Sequence, residues 1–156
     1  MRALFSLLLA ICLAGPAHAA DADVAAIRQL VQQFQTAIVA HDGKTLGSLF
    51  VQEGGSWMSV LDEPTYAATK ARDPAARRLE PSTWREFAEF VTHSARPIEE
   101  RFYDVRIDTN GTVASVWFDF DFLAGGKVTN RGSETWQLVR TDDGWKIVAM
   151  LYSVHP

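Results

Sequence analysis

Residues 97–155 read PIEERFYDVRIDTNGTVASVWFDFDFLAGGKVTNRGSETWQLVRTDDGWKIVAMLYSVH. Three turn signals divide this stretch: Asp108-Thr109-Asn110-Gly111, Gly125-Gly126 and Asp142-Asp143-Gly144. Asn-Gly, Gly-Gly and Asp-Gly favour hairpins because primed turns need positive φ at their central residues. Between the turns, valine, threonine and aromatic side chains fill runs suited to a pleated, half-buried surface. The stretch predicts four consecutive strands in an antiparallel meander.

Upstream, Val24, Ile27, Val31, Phe34 and Ile38 form one apolar stripe of a long helix, with Asp23 as its expected N-cap and Gly43 its C′ residue. Leu46, Leu49 and Phe50 suggest a short second helix, ended by Gly54-Gly55. Residues 56–60, Ser-Trp-Met-Ser-Val, read as a short strand. Residues 61–81 have no clean period and contain prolines at 64, 74 and 81, so a long loop is expected. Thr83 with Glu86 forms a candidate capping box for a third helix carrying Trp84, Phe87 and Val91.

Arg2, the apolar run Leu4 to Leu13 and Ala17-His18-Ala19 have the layout of a cleavable signal peptide. About ten apolar residues are too few to span a bilayer. The expected division is a signal peptide at 1–19 and one domain at 20–156, periplasmic or secreted. Cys12, the single cysteine, lies in the apolar run behind Ile11, an unsuitable neighbour for lipid attachment. The mature domain then has no disulfide, thiolate metal site or cysteine nucleophile. Net charge is −4, becoming −5 without Arg2, and Lys70, Arg72, Arg77 and Arg78 are interleaved with acids. No nucleic-acid partner is expected, nor a membrane one after cleavage.

Helices followed by a meander imply an α+β domain with one sheet face covered. The long first helix, the short one ending in Leu49-Phe50 and the strand Asp143-Gly144-Trp145-Lys146-Ile147-Val148 resemble the nuclear transport factor 2-like (NTF2-like) superfamily. The chain is most similar to its exported SnoaL-like or lumazine-binding-like bacterial branch. That resemblance implies a cone-shaped, curved antiparallel sheet with three N-terminal helices packed on its concave face around a pocket, and frequent dimerisation. Many relatives carry histidines where this chain has Ala149 and Leu151, and a His-Cys-Gly where it has Asn130-Arg131-Gly132.

Counting outward from a two-residue Gly125-Gly126 turn pairs Trp117 with Glu134. One face then holds Phe102, Asp104, Arg106, Trp117, Asp119, Glu134, Trp136, Leu138, Ala149 and Leu151. The other holds Tyr103, Val105, Val116, Phe118, Phe120, Phe122, Val139, Val148, Met150 and Tyr152. The first face, mixing tryptophans with carboxylates, is expected to be concave, and a bulge would flip part of this assignment. Expected ligand-binding residues are Trp57, Phe102, Asp104, Trp117, Asp119, Glu134, Trp136 and Leu151. Asp119 and Glu134 are the candidate general bases, because carboxylates sharing a dry site are poised near neutrality. Alternatively, Asp104 or Glu134 pairs with Arg106 or Arg131 and supports the sheet, and the tryptophans are core. The apolar second face is expected to be a convex surface buried in a homodimer.

His41, His93 and His155 fit no metal site, and the chain has no phosphate loop and no Gly-x-Ser-x-Gly elbow. No cofactor is expected. The leading expectation is binding of a small, partly apolar molecule. One alternative is a cofactor-independent isomerase or hydrolase, as the resemblance to ketosteroid isomerase-type members allows. Another is a purely structural dimerisation module, whose mark would be a pocket filled by side chains.

Overall fold

The computed structural model describes residues 16–155. Residues 1–15, most of the expected signal peptide, lie outside the described residues. In chain order the elements are α1 (Pro16–Val39), α2 (Gly43–Ser48), β1 (Ser56–Leu61), α3 (Glu63–Arg72), β2 (Leu79–Ser82), α4 (Trp84–His93), β3 (Ile98–Thr109), β4 (Val113–Ala124), β5 (Lys127–Thr141) and β6 (Gly144–Val154). All six strands join one sheet in the order β2-β1-β6-β5-β4-β3. The predicted meander forms its larger part, and β1 adds to β6 in parallel.

The predicted stripe on α1 is the buried face of that helix: Ile27, Leu30, Val31, Phe34 and Ile38 are all in the core. Asp23 is not its N-cap, because the helix begins at Pro16. Its carboxylate instead accepts hydrogen bonds from Arg140 and from Trp145 Nε1, tying α1 to the last hairpin. Gly43 is not a C′ residue either. His41 takes the positive φ there, at 56°, and Asp42 caps α2 by accepting from the Thr45 N–H at 2.9 Å. Gly43 is small for another reason: a Cβ would stand 2.2 Å from the Ala88 carbonyl oxygen, so it lets α2 lie against α4. Thr83 caps α4 as expected, its Oγ1 accepting from the Glu86 N–H at 3.2 Å.

The expected loop at 61–81 contains a helix and a strand. Asp62 caps α3 by accepting from the Thr65 N–H at 2.9 Å, and Pro64 occupies the first turn. None of its residues is buried, which is why no apolar period marks it. After α3 the chain turns back and β2 pairs antiparallel with β1.

Bulges decide which way the sheet faces. The turn register is as predicted, Ala124 opposite Lys127 and Leu123 opposite Val128, but Thr129 is then left without a partner and Phe122 pairs with Asn130. From there Trp117 pairs with Thr135, and Phe118 with Glu134. Two further irregularities fall between Tyr103 and Arg106 of β3, where Asp104 has a φ of 52°, and at Val148 of β6. Each inserted residue bends its strand and increases the local twist, curling the sheet around the helices.

The predicted faces are therefore exchanged over most of β4. Val116, Phe118, Phe120 and Met150, expected on a convex dimer surface, are at most 3% exposed and pack under the helices. Phe122 and Tyr152 pack against the same core. Most of the face expected to be buried in a dimer is thus the hydrophobic core itself, while Tyr103 is exposed and Val139 and Val148 lie outside the core cluster. Val116 lies opposite Trp136, which is opposite Met150, and Trp136 meets Phe34 and Phe118 at ring separations of 4.8 and 5.0 Å.

Candidate functional site

A cavity of about 200 Å³ lies between the curved sheet and helices α1 and α4. Aromatic rings make most of its wall: Phe34 from α1, Phe87 and Phe90 from α4, Trp57 from β1 and Phe122 from β4. Met150 and Tyr152 of β6, Asn130 of β5, and two carboxyl groups, Glu100 of β3 and Glu134 of β5, complete it. Among the described residues, no lysine, arginine or histidine lines it. A pocket filled by side chains, the mark of a purely structural module, is not what this domain has.

Glu134 faces inward as the count from the turn places it, but the Thr129 bulge sets it beside Phe118 rather than Trp117. It lies between Phe118 and Tyr152 on the adjoining strands and is 3% exposed. Trp136, two residues along on the same face, donates its indole N–H to Glu134 Oε1. Glu100 shares the inner face with Ile98 and Phe102 and is 7% exposed. The main-chain carbonyl of Glu100 accepts from Gln35 Nε2 at 3.0 Å, fixing the strand to α1. Its carboxyl group has no hydrogen-bond partner among the described residues.

Burial penalises the charged form of a carboxyl, and a second acid nearby adds to the penalty. Burial pushes Glu134 up to about 8, against the opposing pull of the Trp136 N–H bond. Glu100 is raised well above the usual carboxylate range, first by burial and then by repulsion from Glu134. Tyr152 is also raised, chiefly by burial, so its phenol keeps its proton. At neutral pH the cavity thus holds proton donors. Of the two acids, Glu134 has a hydrogen-bond donor that favours its charged form, the Trp136 indole.

Of the residues expected from the sequence to bind a ligand, the structure brings Trp57 and Glu134 to the cavity. Phe102 and Trp136 lie behind it in the core, with ring contacts to Phe118. Asp104, Trp117, Asp119 and Leu151 are not in it. Asp104 is exposed at the β3 bulge, and Leu151 is 48% exposed. Trp117 packs under the Arg106 guanidinium at 4.5 Å on the outer face. Asp119, the other candidate base, accepts from Ser133 Oγ at 2.6 Å on that outer face. Neither Arg106 nor Arg131 reaches Glu134; Arg131 pairs with Asp121 at 3.5 Å.

Glu100 was missed from sequence, along with the phenylalanines of the helices. Ile98, Glu100 and Phe102 alternate along one strand, so a face that holds Phe102 also holds Glu100.

A cone of antiparallel sheet wrapped around a helix-covered pocket defines the NTF2-like class of α+β domains. Within it, residues 27–155 match the model of the SnoaL-like domain, and the chain belongs to that family. Solved structures with the same fold include an NTF2-like protein of unknown function from Shewanella baltica, 18% identical. That match covers 87% of this chain and 96% of the other, with a TM-score of 0.62. A protein of Novosphingobium aromaticivorans provisionally named a scytalone dehydratase is 14% identical over 90% of this chain and 89% of its own, with a TM-score of 0.67. A second protein from that organism, provisionally named an aromatic ring hydroxylase, is 16% identical over 87% and 92%, with a TM-score of 0.61. At these identities the likeness concerns the fold. No curated protein matches the chain.

Proposed function

We propose that this domain binds a small, single-ring organic molecule in the cavity and that Glu134, backed by Glu100, exchanges a proton with it. The carrying observation is the pair of buried carboxyl groups in an aromatic cavity that no basic side chain lines among the described residues. Such a pair destabilises the folded chain, and costly, strongly perturbed groups gather where chemistry needs them. A cavity of about 150 Å³ holds benzene, so about 200 Å³ suits one substituted ring. The rings supply apolar contact, and Glu100, Glu134, Tyr152 and Asn130 supply a few polar groups that orient the guest. Where that guest is a carbon acid, the ionised Glu134 is the base and protonated Glu100 the donor, which is the arrangement of a cofactor-independent isomerase.

The test is hydrogen–deuterium exchange at the α-carbon of cyclohexanone in heavy water, followed by NMR together with ligand-observed binding. The protein is expected to accelerate exchange, and Glu134→Gln to lose roughly 10²-fold or more of that acceleration. Binding without exchange would leave a binder with no proton transfer. Neither binding nor exchange, for cyclohexanone and a panel of single-ring compounds, would overturn the reading. We also propose that the domain works outside the cytoplasm after cleavage behind Ala19, on the strength of Arg2, the apolar run and Ala17-His18-Ala19. Amino-terminal sequencing of the protein made in its host should begin at Ala20; retained Met1 in the soluble fraction would refute export with cleavage.

A further inference from the structure

The carboxyl groups facing the cavity lack a counter-charge. Glu100 is 7% exposed, lines the cavity and has no hydrogen bond at its carboxyl among the described residues. Glu134 has one donor, the Trp136 indole, at Oε1. Arg131, next in sequence to the lining residue Asn130, is paired with Asp121 and has a half-exposed side chain. Two buried acids can share their site with protons or with a positive guest, and a guest brings its charge without the cost of leaving either acid unsatisfied.

The wall favours the same sign. The faces of aromatic rings carry negative charge and attract organic cations, most strongly where water is excluded. Here Trp57 lies 5.3 Å from Phe87, which lies 6.4 Å from Phe122, ring centre to ring centre. Among the described residues, an anionic guest would meet carboxyl groups and ring faces and no cation. A neutral guest would leave the carboxyl charges uncompensated whenever they ionise.

We propose that the molecule taken by this cavity is a single-ring organic amine, held as its ammonium by an ion pair with Glu134 inside the aromatic wall. This rests on the reading of the cavity as a binding site for one ring. An amine that arrives neutral takes the proton of the Glu134 carboxyl. One that arrives as ammonium displaces that proton to solvent. In both cases a carboxylate and an ammonium remain, and no other bond changes. Among the described residues, the titratable groups that face the cavity are Glu134, Glu100 and Tyr152, and α1 and α4 contribute Phe34, Phe87 and Phe90. Affinity should therefore rise with pH toward about 8, as the proton on Glu134 becomes easier to displace. It should fall again once the amine itself deprotonates.

The experiment is isothermal titration of the protein with benzylamine, benzyl alcohol and sodium benzoate, each at pH 6 and pH 8. Benzylamine should bind about tenfold or more tightly than benzyl alcohol at pH 8, with a smaller advantage at pH 6 and no benzoate binding. Glu134→Gln should remove the preference for the amine while leaving the alcohol bound. If that variant does not fold, the ratio of amine to alcohol in the unmodified protein still decides. Alcohol binding as tightly as amine would overturn the ammonium reading and leave the one-ring site standing. Amine binding equally well at both pH values, or undiminished in a folded Glu134→Gln, would overturn the pairing with Glu134. Failure of all three compounds to bind would remove both proposals.

Discussion

Glu100 and Glu134 hang from one side of the sheet; Asp119 and Asp121 hang from the other, on adjoining strands. On the inner side the acids are buried among rings and pushed toward their neutral forms. On the outer side Asp119 takes the Ser133 hydroxyl at 2.6 Å, while Asp121 meets Arg131 at 3.5 Å and the Tyr103 hydroxyl at 3.3 Å. The same functional group is held toward its neutral form on one face and is a member of a surface network on the other. Side-chain type does not distinguish the two pairs. The direction each strand presents it does, and one unpaired residue at Thr129 sets that direction for β4 against β5.

The largest expected effect comes from giving the inner face a third acid. Phe118 is fully buried and stacks on Phe102 at 4.0 Å. Truncating such a ring costs about 3–5 kcal/mol, and Phe118→Asp would add an unpaired buried charge, which exceeds what a domain of ordinary stability can bear. Circular dichroism should show no cooperative unfolding transition. A folded Phe118→Asp protein that sediments as a monomer would return Phe118 to the outer surface, as the first register count had it.

That register count shows what was legible in the sequence. The turns, the four strands, β1, the α1 stripe and the Thr83 cap of α4 follow from local chemistry. The facing of β4 depends on an extra residue that no turn signal announces. Yet Phe118-Asp119-Phe120-Asp121-Phe122 carries a second signal, the alternation of apolar and acidic residues, which by itself puts the phenylalanines inside. Where a count and an alternation disagree, the alternation reports the burial energy directly. Gly132 is a further mark: a Cβ there would stand 1.9 Å from the Ser153 carbonyl oxygen, so β5 and β6 close up at that point. α3 was illegible for the opposite reason. It buries nothing, and only Asp62 and Pro64 hint at its start.

A second, smaller effect separates the two faces by pH. The unfolded chain releases its carboxyl protons near 4.5, whereas Glu134 holds its proton until about 8 in the fold. Between those values the native state binds the extra proton, so stability falls as pH rises, by about 1.4 kcal/mol per pH unit for each such group. The penalty is absent below the unfolded value and complete above the folded one. Denaturant melts should show the protein less stable at pH 8 than at pH 5. Glu134→Gln, which keeps an acceptor for Trp136, should be near neutral at pH 5 and stabilising at pH 8, on the order of 2–4 kcal/mol. Equal stability at the two pH values in the unmodified protein would mean that water or a counter-ion reaches the pair.

The smallest effect is expected from the outer acid first suspected as a base. Asp119→Asn retains an oxygen to accept from Ser133 Oγ and removes a charge from a partly solvated surface. Exposed charge pairs and surface hydrogen bonds of this kind contribute within about 1 kcal/mol. The neighbouring Trp117→Ala removes the ring under Arg106, a contact worth about 0.5–1 kcal/mol at an exposed site, together with some apolar area. Neither residue lines the cavity. Asp119→Asn should therefore leave ring binding and carbon-acid exchange unchanged, while Glu134→Gln alters both. Exchange lost in Asp119→Asn but retained in Glu134→Gln would invert the roles of the two faces. It would put the working carboxylate in the outer network, with Ser133 as its proton partner, and leave the buried pair as ballast of the fold.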